Sequence, residues 1–389
     1  MLKDGKITLA LLWSRYEGGT TSVNDLILRL DKERFDAIFI FLSRDRAEKE
    51  ALSEGGYKVF YLSRSRARNT FRLSIPFKLA RILKENHVDI LHCHAHKATV
   101  YGTVAAALAG TPVVLAHVHG LGRSRNLRRK LINLLLFRKI DRLICVANGV
   151  KNDVLSNNWW LPAGKLSVLE NSVDYGRFAD VSISKADARK LLGVPEDAFV
   201  FGTAGRLVPT KGLPYLIEAF SKVRMQRLSA KLVLLGDGPC RAELERQVSG
   251  LSCRDSIHFL GYKDGIEQLM RGMDVFVLSS VAEGMPRVIL EAMASGLPCI
   301  CTRVGGIPEI ISNESLGVLV PPRDSVALAR AMLSAIDESR DERAERVQKA
   351  RERIRERYSH DVIGHKLGRL YEAAARAAKP DHALSSGTG

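Results

Sequence analysis

The feature that most constrains the fold is an alternation of short Val/Ile/Leu-rich runs with longer helical patterns along almost the whole chain. This alternation is typical of parallel βαβ units, and it falls into two series. The predicted strands of the first series are Ile7–Trp13, Ala37–Leu42, Ile90–Cys93, Val113–His117, Arg142–Val146 and Leu166–Leu169. Those of the second series are Phe199–Thr203, Lys231–Leu235, Ile257–Leu260, Val275–Ser279, Pro298–Thr302 and Val318–Val320. The sequence therefore predicts an α/β protein with two doubly wound, Rossmann-like sheets in tandem.

The division between the two sheets is predicted near residues 180–195, where Val181–Gly193 has a short polar helical pattern and Pro195 breaks the chain. A chain of 389 residues fits two domains, because one hydrophobic core rarely grows beyond about 250–300 residues. We expect an N-terminal domain over residues 1–185 and a C-terminal domain over residues 186–357. A final helix over residues 358–378 and a disordered tail over residues 379–389 complete the expected organisation.

The cysteines and the first apolar run indicate a cytoplasmic protein. The six cysteines form no C-x-x-C pair, and most lie inside apolar runs, as expected of reduced core residues. The apolar run Ile7–Trp13 is followed by no small-residue cleavage site, so we interpret it as a first strand and not as a signal peptide. No transmembrane span is expected.

The net charge of +16 is concentrated in the first half of the chain. Residues 1–180 hold 29 Lys and Arg against 17 Asp and Glu. Such a surface attracts nucleic acid, anionic lipid or a phosphorylated substrate, and no nucleic-acid-binding motif is present. Basic residues flank the apolar run Leu131–Phe137, and Arg64, Arg66, Arg68 and Arg72 form a second cluster. We expect no nucleic-acid partner and a peripheral contact with an anionic membrane, although a core helix with a basic end remains an alternative.

The loop Gly205–Gly212 follows the first strand of the second domain, at the sheet edge where doubly wound proteins bind ligands. Arg206 and Lys211 lie five positions apart in this loop and are suited to clamp the two phosphates of a diphosphate. A solvated loop with a capping turn is the alternative. A second glycine loop, at Gly18 and Gly19, precedes a helical pattern and would let a backbone approach a phosphate.

The segment from residue 282 to residue 298 carries two carboxylates around a helix start. Pro286 suits the first turn of a helix, which places Glu283 before the helix and Glu291 in its second turn. Backbone N–H groups near Val288 and Ile289 would then face an anion. One of the two carboxylates could reach sugar hydroxyls and the other a ribose diol, with phosphates between them at the helix start. A pair of salt-bridged surface glutamates is the alternative.

These motifs together resemble the retaining glycosyltransferases of family 4, which have the GT-B fold. In the second half they are Gly-Arg-Leu-x3-Lys-Gly, the Glu-x7-Glu of Glu283 and Glu291, Gly236–Pro239, Phe259–Tyr262 and Gly305–Glu309. In the first half they are Glu17–Gly19, His92-x-His94, His117–Gly120 and Asn171–Asp174. The resemblance spans roughly residues 7–375. The family usually has glycine at Ser172, so the turn there is less certain.

The resemblance implies a role for each matching residue. Arg206 and Lys211 are expected to bind the diphosphate, Glu291 the ribose, Glu283 the donor sugar, and His119 to lie near the transferred sugar as the active-site histidine. The remaining donor-binding residues implied are Gly18, Gly19, Gly261, Tyr262, Met285, Val288 and Ile289. The implied fold has two Rossmann-like domains facing a central cleft, and the helix over residues 358–378 crosses back to the first domain.

The chemistry expected is sugar transfer without a metal ion. No Asp-x-Asp occurs in the sequence, so protein cations and helix N–H groups must meet the charge of the leaving group. The resemblance implies retention through an oxocarbenium-like transition state, in which the leaving phosphate helps to deprotonate the acceptor. We expect no cofactor, a UDP-sugar as the favoured donor, and a cell-envelope glycan or lipid-linked acceptor in lipopolysaccharide or other surface polysaccharide biosynthesis. The expected location is the cytoplasm, at the inner face of the cytoplasmic membrane.

Three alternatives remain open. A GT-B type nucleotide-sugar epimerase would keep the donor site and need no acceptor, and a donor-binding protein would lack catalysis. A His-rich metal hydrolase would use His92, His94 and His96, which alternate on one face of a strand and are suited to bind zinc.

Overall fold

The computed structural model describes residues 5–14, 22–43, 51–63, 72–122 and 127–378. The chain divides into two compact units, Met1–Glu170 with Ile363–Gly389, and Asn171–Val362. The sequence placed these divisions later at the first boundary, after residue 185, and earlier at the second, after residue 357. The expected tail over residues 379–389 lies outside the described residues.

The first unit contains a seven-stranded parallel sheet in the order β3-β2-β1-β4-β5-β6-β7. The strands are β1 (Ile7–Trp13), β2 (Phe35–Phe41), β3 (Lys58–Tyr61), β4 (Ile90–His94), β5 (Val113–Val118), β6 (Arg142–Cys145) and β7 (Leu166–Val168). The helices are α1 (Ser22–Leu28), α2 (Ala51–Glu54), α3 (Ser74–Glu85), α4 (His96–Ala109), α5 (Leu127–Leu136), α6 (Asn148–Asn157) and, from the end of the chain, α16 (His360–Ala377). β1 and β4 are buried along nearly their whole length because both faces of the sheet are covered, as in other parallel sheets.

Helix α16 supplies part of the core of the first unit. Ile363, Leu367 and Tyr371 recur every fourth residue, so they lie on one face of the helix. All three are fully buried, in one cluster with residues such as Leu9 and Phe39 of the sheet. The end of the chain therefore completes the hydrophobic core of the unit that the start of the chain forms.

The second unit contains a six-stranded parallel sheet in the order β10-β9-β8-β11-β12-β13. Its strands are β8 (Phe199–Ala204), β9 (Ala230–Leu235), β10 (Ile257–Gly261), β11 (Val275–Leu278), β12 (Cys299–Thr302) and β13 (Val318–Val320). Its helices are α7 (Tyr175–Ala179), α8 (Lys185–Leu192), α9 (Leu213–Gln226), α10 (Arg241–Ser249), α11 (Ile266–Met270), α12 (Arg287–Ala294), α13 (Ile307–Ile310), α14 (Ser325–Asp337) and α15 (Arg340–Tyr358). The two predicted doubly wound sheets are thus confirmed.

The turn at Ser172 is held by contacts within the second unit. The backbone N–H of Val173 donates to the carbonyl of Tyr358 at 2.9 Å, and the N–H of His360 donates to the carbonyl of Val173 at 3.0 Å. The hydroxyl oxygen of Ser172 lies 2.9 Å from Nδ1 of His360, and both side chains are buried. The serine that stands where the family usually has glycine therefore has a hydrogen-bond partner for its side chain.

None of the described helices combines the length and the apolar character that crossing a bilayer demands. The six cysteines are unpaired thiols, and all except Cys240 are buried.

Candidate functional site

The candidate donor site of the second unit lies at the carboxyl ends of its central strands. β8 leads into the loop that carries Arg206 and Lys211, and β11 leads into the loop that carries Glu283. Because β8 and β11 are neighbouring parallel strands, their carboxyl ends lie at one edge of the sheet. The two loops are joined by backbone: the N–H of Val281 donates to the carbonyl of Thr210 at 2.8 Å.

Two glycines let these loops approach more closely than any side chain would permit. A Cβ atom on Gly236 would lie 2.0 Å from the carbonyl oxygen of Gly205, and one on Gly305 would lie 2.0 Å from the carbonyl oxygen of Glu283. Both glycines also have positive φ, 124° and 57°, which L side chains rarely adopt. The loops after β8, β9, β11 and β12 therefore pack as one layer of backbone, which explains the glycines at these positions.

Lys211 and Glu283 form an ion pair in this layer. Nζ of Lys211 lies 2.7 Å from Oε1 of Glu283, and the two side chains are only 18% and 13% exposed. The hydroxyl of Ser280 donates to the same carboxylate oxygen at 2.6 Å. The ammonium group is thus held in a partly desolvated position, where its charge is screened less than at the surface.

Arg206 lies in the same loop and is exposed. Among the residues that the structure describes, no carboxylate lies within ion-pair distance of its guanidinium group. Arg206 and Lys211 line one small pocket together with Thr203, Gly205 and Leu278. The two predicted diphosphate cations are therefore brought together at the end of β8, one paired and one available to an anion.

Helix α12 begins at Arg287, so Pro286, which was predicted in the first turn, lies one residue earlier at the N-cap. The N–H of Ile289 already donates to the carbonyl of Pro286 at 3.3 Å, so it is less available to an anion than the sequence suggested. Val288 is half-buried in the first turn, where backbone N–H groups lack helical partners. The side chains of Met285 and Ile289 are buried core residues, and only their backbone atoms are suited to contact a ligand.

Glu291 lies in the second turn of α12, with its side chain 16% exposed. Burial raises the pKa of its carboxyl group above the usual value, an effect that the nearby Arg287 and Arg177 partly oppose. Oε1 of Glu291 is 3.9 Å from Nη2 of Arg287, a distance too long for a direct hydrogen bond. The carboxylate therefore retains acceptor capacity for ligand hydroxyls.

Gly261 and Tyr262 lie at the end of the edge strand β10. The carbonyl of Gly261 accepts a hydrogen bond from the N–H of Gly236 at 2.7 Å, which fixes this strand end to the loop after β9. The Tyr262 side chain is exposed, and its hydroxyl donates to Asp264 at 3.0 Å. Their predicted role in bordering a base stays a prediction.

In the first unit, the predicted active-site residue His119 follows β5. Its Nε2 lies 3.2 Å from Nδ1 of His94, and the indole of Trp13 stacks on the ring of His94 with centroids 3.8 Å apart. Sequence reasoning named neither His94 nor Trp13 as a neighbour of His119. Gly18 and Gly19 lie outside the described residues.

The expected strand alternation of His92, His94 and His96 is wrong at its last member. Ala95 has a positive φ of 69°, which ends β4 at His94, and His96 becomes the first residue of α4. The histidine that joins His92 and His94 is His117 of β5, and all three are buried.

Comparison with known proteins assigns the family. The family model described as Glycosyltransferase Family 4 matches residues 16–177, and the model described as Glycosyl transferases group 1 matches residues 184–353. The Escherichia coli UDP-Gal:alpha-D-GlcNAc-diphosphoundecaprenol alpha-1,3-galactosyltransferase is 33% identical over 270 residues, 67% of this chain and 69% of that protein. The chain belongs to glycosyltransferase family 4.

Other members and the fold agree with this assignment. The Campylobacter jejuni N,N'-diacetylbacillosaminyl-diphospho-undecaprenol alpha-1,3-N-acetylgalactosaminyltransferase is 28% identical over 367 residues, 89% of this chain and 93% of that protein. The solved structure of Anabaena HepE in complex with UDP has a TM-score of 0.81 at 22% identity, and the match covers 95% of this chain and 100% of that one. The protein is a glycosyltransferase with the GT-B fold.

Proposed function

We propose that the protein transfers a hexose from a nucleotide-diphosphate sugar, preferentially a UDP-sugar, to a cell-envelope glycan or a lipid-linked acceptor. The observation that carries this proposal is the layer of loops at the end of β8. It presents Lys211, held at 2.7 Å by Glu283, beside the exposed guanidinium of Arg206. Two cations at a sheet edge, one of them held in place, are suited to a diphosphate, and Glu291 supplies an acceptor for ribose hydroxyls.

The names of two relatives support this choice of substrates. The E. coli relative is named for a UDP-galactose donor, and both it and the C. jejuni relative are named for acceptors linked to diphosphoundecaprenol. HepE was solved with UDP. Surface polysaccharide synthesis, including that of lipopolysaccharide, is the process that this donor and acceptor fit.

The proposed reaction retains the anomeric configuration and needs no metal ion on the diphosphate and no cofactor. The sequence has no Asp-x-Asp for a metal clamp, and Glu283, the carboxylate beside Lys211, is already paired with that lysine. Lys211, Arg206 and the first turn of α12 then meet the charge that develops on the leaving group. His119 acts near the transferred sugar, and the leaving phosphate helps to deprotonate the acceptor.

The test begins with thermal unfolding of the protein in a panel of UDP-, GDP- and ADP-sugars, because a ligand that binds only the native state raises the unfolding temperature. The bound donor is then turned over with and without a diphosphoundecaprenol-linked sugar. Transfer predicts that UDP is released only with the acceptor, that NMR shows an α-linked product from an α-linked donor, and that Mg²⁺ or Mn²⁺ does not raise the rate. Epimerised donor without any acceptor would support the epimerase, and a β-linked product would refute retention.

We also propose that α5 binds the enzyme to the anionic inner face of the cytoplasmic membrane. Leu127, Leu131 and Leu135 form one stripe along this helix and are 72%, 59% and 70% exposed. Asn133 is buried, and Ile132, Leu134 and Leu136 are half-buried, so the helix packs on the protein through its other side. The three exposed leucines are more than an ordinary core helix needs on its outer side.

Basic residues accompany the leucine stripe. Arg129 and Lys130 lie on α5, and Arg138 and Lys139 follow it, while the sequence neighbours Arg123 and Arg125 and the cluster at Arg64, Arg66 and Arg68 lie outside the described residues. An apolar stripe with adjacent cations is suited to a bilayer of anionic lipid. We expect binding to phosphatidylglycerol vesicles at low salt that Leu131→Ser weakens and that Leu191→Ser, a similarly exposed leucine of α8, leaves unchanged. Equal binding to neutral vesicles would contradict the proposal.

A further inference from the structure

Three histidines of the first sheet converge below its surface. His92 and His94 are two residues apart on β4, so their side chains lie on one face of the strand. His117 of β5 is paired in register with His94, which puts it on that same face. One ring nitrogen from each of the three lies within 4.8 Å of the other two, and all three residues are buried.

The nitrogens that face this cluster have no hydrogen-bond partner. Nε2 of His92, Nε2 of His94 and both ring nitrogens of His117 are buried and unpaired. Buried polar atoms are almost always hydrogen-bonded, because an unpaired one loses its water without compensation. Four such atoms on three adjacent rings therefore require an explanation. If these positions served only to pack the core, leucine or phenylalanine would fill them without burying unpaired nitrogen atoms.

Neighbouring side chains orient the rings. Nδ1 of His92 lies 2.7 Å from the hydroxyl of Tyr371 on α16. In the tautomer whose Nδ1–H donates to the tyrosine oxygen, Nε2 of His92 carries the lone pair that a cation requires. A second hydrogen bond of this kind is the usual support of a metal-binding histidine. The indole of Trp13 stacks on the ring of His94, with centroids 3.8 Å apart, and limits its rotation.

The ring spacing matches a tetrahedral ion, whereas the stacked rings of His92 and His117, whose planes are 7° from parallel, must rotate for one ion to lie in both planes. The centroids of His92 and His117, and those of His94 and His117, are each 5.3 Å apart. Two imidazoles that share a tetrahedral ion at about 2.0–2.1 Å per bond have centroids about 5 Å apart. His92 and His94, at 4.3 Å, must separate slightly.

We propose that His92, His94 and His117 bind one late first-row divalent cation, with Zn²⁺ as the best fit. Mg²⁺ and Ca²⁺ do not fit this cluster, because those ions require oxygen ligands and the three imidazoles offer only nitrogen. The three ligands leave a fourth coordination position open.

This site differs from the proposed donor site in place and in role. The cations assigned to the diphosphate, Lys211 and Arg206, belong to the second unit, whereas the histidines belong to the first. Nδ1 of His94 is the atom next to His119. An ion on Nε2 of His94 would therefore fix the ring against which His119 rests.

The test measures metal and not sugar transfer, so that it stands apart from the proposed function. Protein without a polyhistidine tag is stripped by a chelator, incubated with one equivalent of Zn²⁺, desalted, and assayed for zinc by mass spectrometry. Co²⁺ is used in parallel, because tetrahedral Co²⁺ gives intense visible absorption. We expect one ion per chain in the wild type and in His87→Asn, which removes an exposed histidine of the same unit.

Two variants decide the outcome. His117→Asn should weaken Zn²⁺ binding by more than a hundredfold, since loss of an outer partner alone costs about 10–100-fold. Tyr371→Phe keeps the buried ring and should weaken binding by about tenfold, with far-UV circular dichroism unchanged. The proposal is overturned if the wild type retains no ion, or if a folded Tyr371→Phe and His117→Asn both bind Zn²⁺ as tightly as the wild type.

Discussion

Replacing Lys211 with alanine removes the cation that the structure holds most firmly at the candidate donor site. Its ammonium group lies 2.7 Å from Oε1 of Glu283, and neither side chain is more than 18% exposed. A fixed charge that water screens little stabilises a developing anion without reorganising at the moment of reaction. We therefore expect Lys211→Ala to slow the chemical step more than it weakens donor binding.

The magnitude follows from comparable losses of one preorganised stabiliser. Such a loss lowers kcat by about 10²–10³, or about 2.7–4 kcal/mol. The same change leaves the carboxylate of Glu283 with the hydroxyl of Ser280 as its remaining partner in the described network, at 2.6 Å. Since one hydrogen bond to the charge survives, the free energy of unfolding should fall by only about 1–3 kcal/mol.

The assay is single-turnover transfer with saturating donor, together with urea unfolding of each variant. Lys211→Arg keeps the charge in a different shape and should recover part of the rate. Lys222→Ala is the matched control, because Lys222 makes an ion pair of equal length with Glu218 on the solvent side of α9. A folded Lys211→Ala enzyme with the wild-type single-turnover rate would refute the assigned role.

Three further predictions concern single residues. Glu291→Gln should weaken donor binding in calorimetry but stabilise the protein without donor at neutral pH. Burial raises the native pKa of Glu291, so the wild type loses stability as pH rises from about 4.3, the pKa of an unfolded glutamate, through the raised native pKa. Equal stability of the two proteins in urea at neutral pH would contradict this. Gly236→Ala should reduce donor binding and lower the unfolding free energy by more than about 1 kcal/mol, because its Cβ would lie 2.0 Å from the carbonyl oxygen of Gly205. Gly250→Ala should have neither effect, because the nearest atom to a Cβ there is 3.9 Å away. Leu367→Ala should lower the unfolding free energy by about 2–5 kcal/mol, because Leu367 is fully buried in the first unit; a smaller loss in urea titration would show that α16 adds little to that core.

Strands buried on both faces were the easiest elements to predict. The bounds of β1, Ile7–Trp13, coincide with those expected, and the fully buried β11, Val275–Leu278, is one residue shorter than expected, because a mostly apolar run has few other uses in a parallel sheet. β3, at Lys58–Tyr61, was missed. It is a short edge strand, only half-buried, and nothing in four residues of mixed polarity distinguishes it from a loop.

Contacts between loops were harder to predict than the loops themselves. The sequence placed Lys211 and Glu283 at one sheet edge, but their ion pair joins residues far apart in the chain and depends on how two loops pack. The histidine cluster shows the same limit. Alternation along a strand gave His92 and His94, yet the strand ends at His94, and the third member comes from the neighbouring strand β5.

The ion pair of Lys211 with Glu283 also bears on how a donor enters. A diphosphate that takes the ammonium group must compete with a carboxylate that is itself mostly buried, so the displaced Glu283 needs another partner. Ser280 supplies one donor from within the same loop, and the hydroxyls of an incoming sugar supply others. A nucleotide diphosphate alone brings the phosphates without those sugar hydroxyls. The intact sugar nucleotide should therefore supply hydrogen bonds to the displaced Glu283 that the leaving nucleotide diphosphate cannot supply. This difference favours release of the nucleotide product.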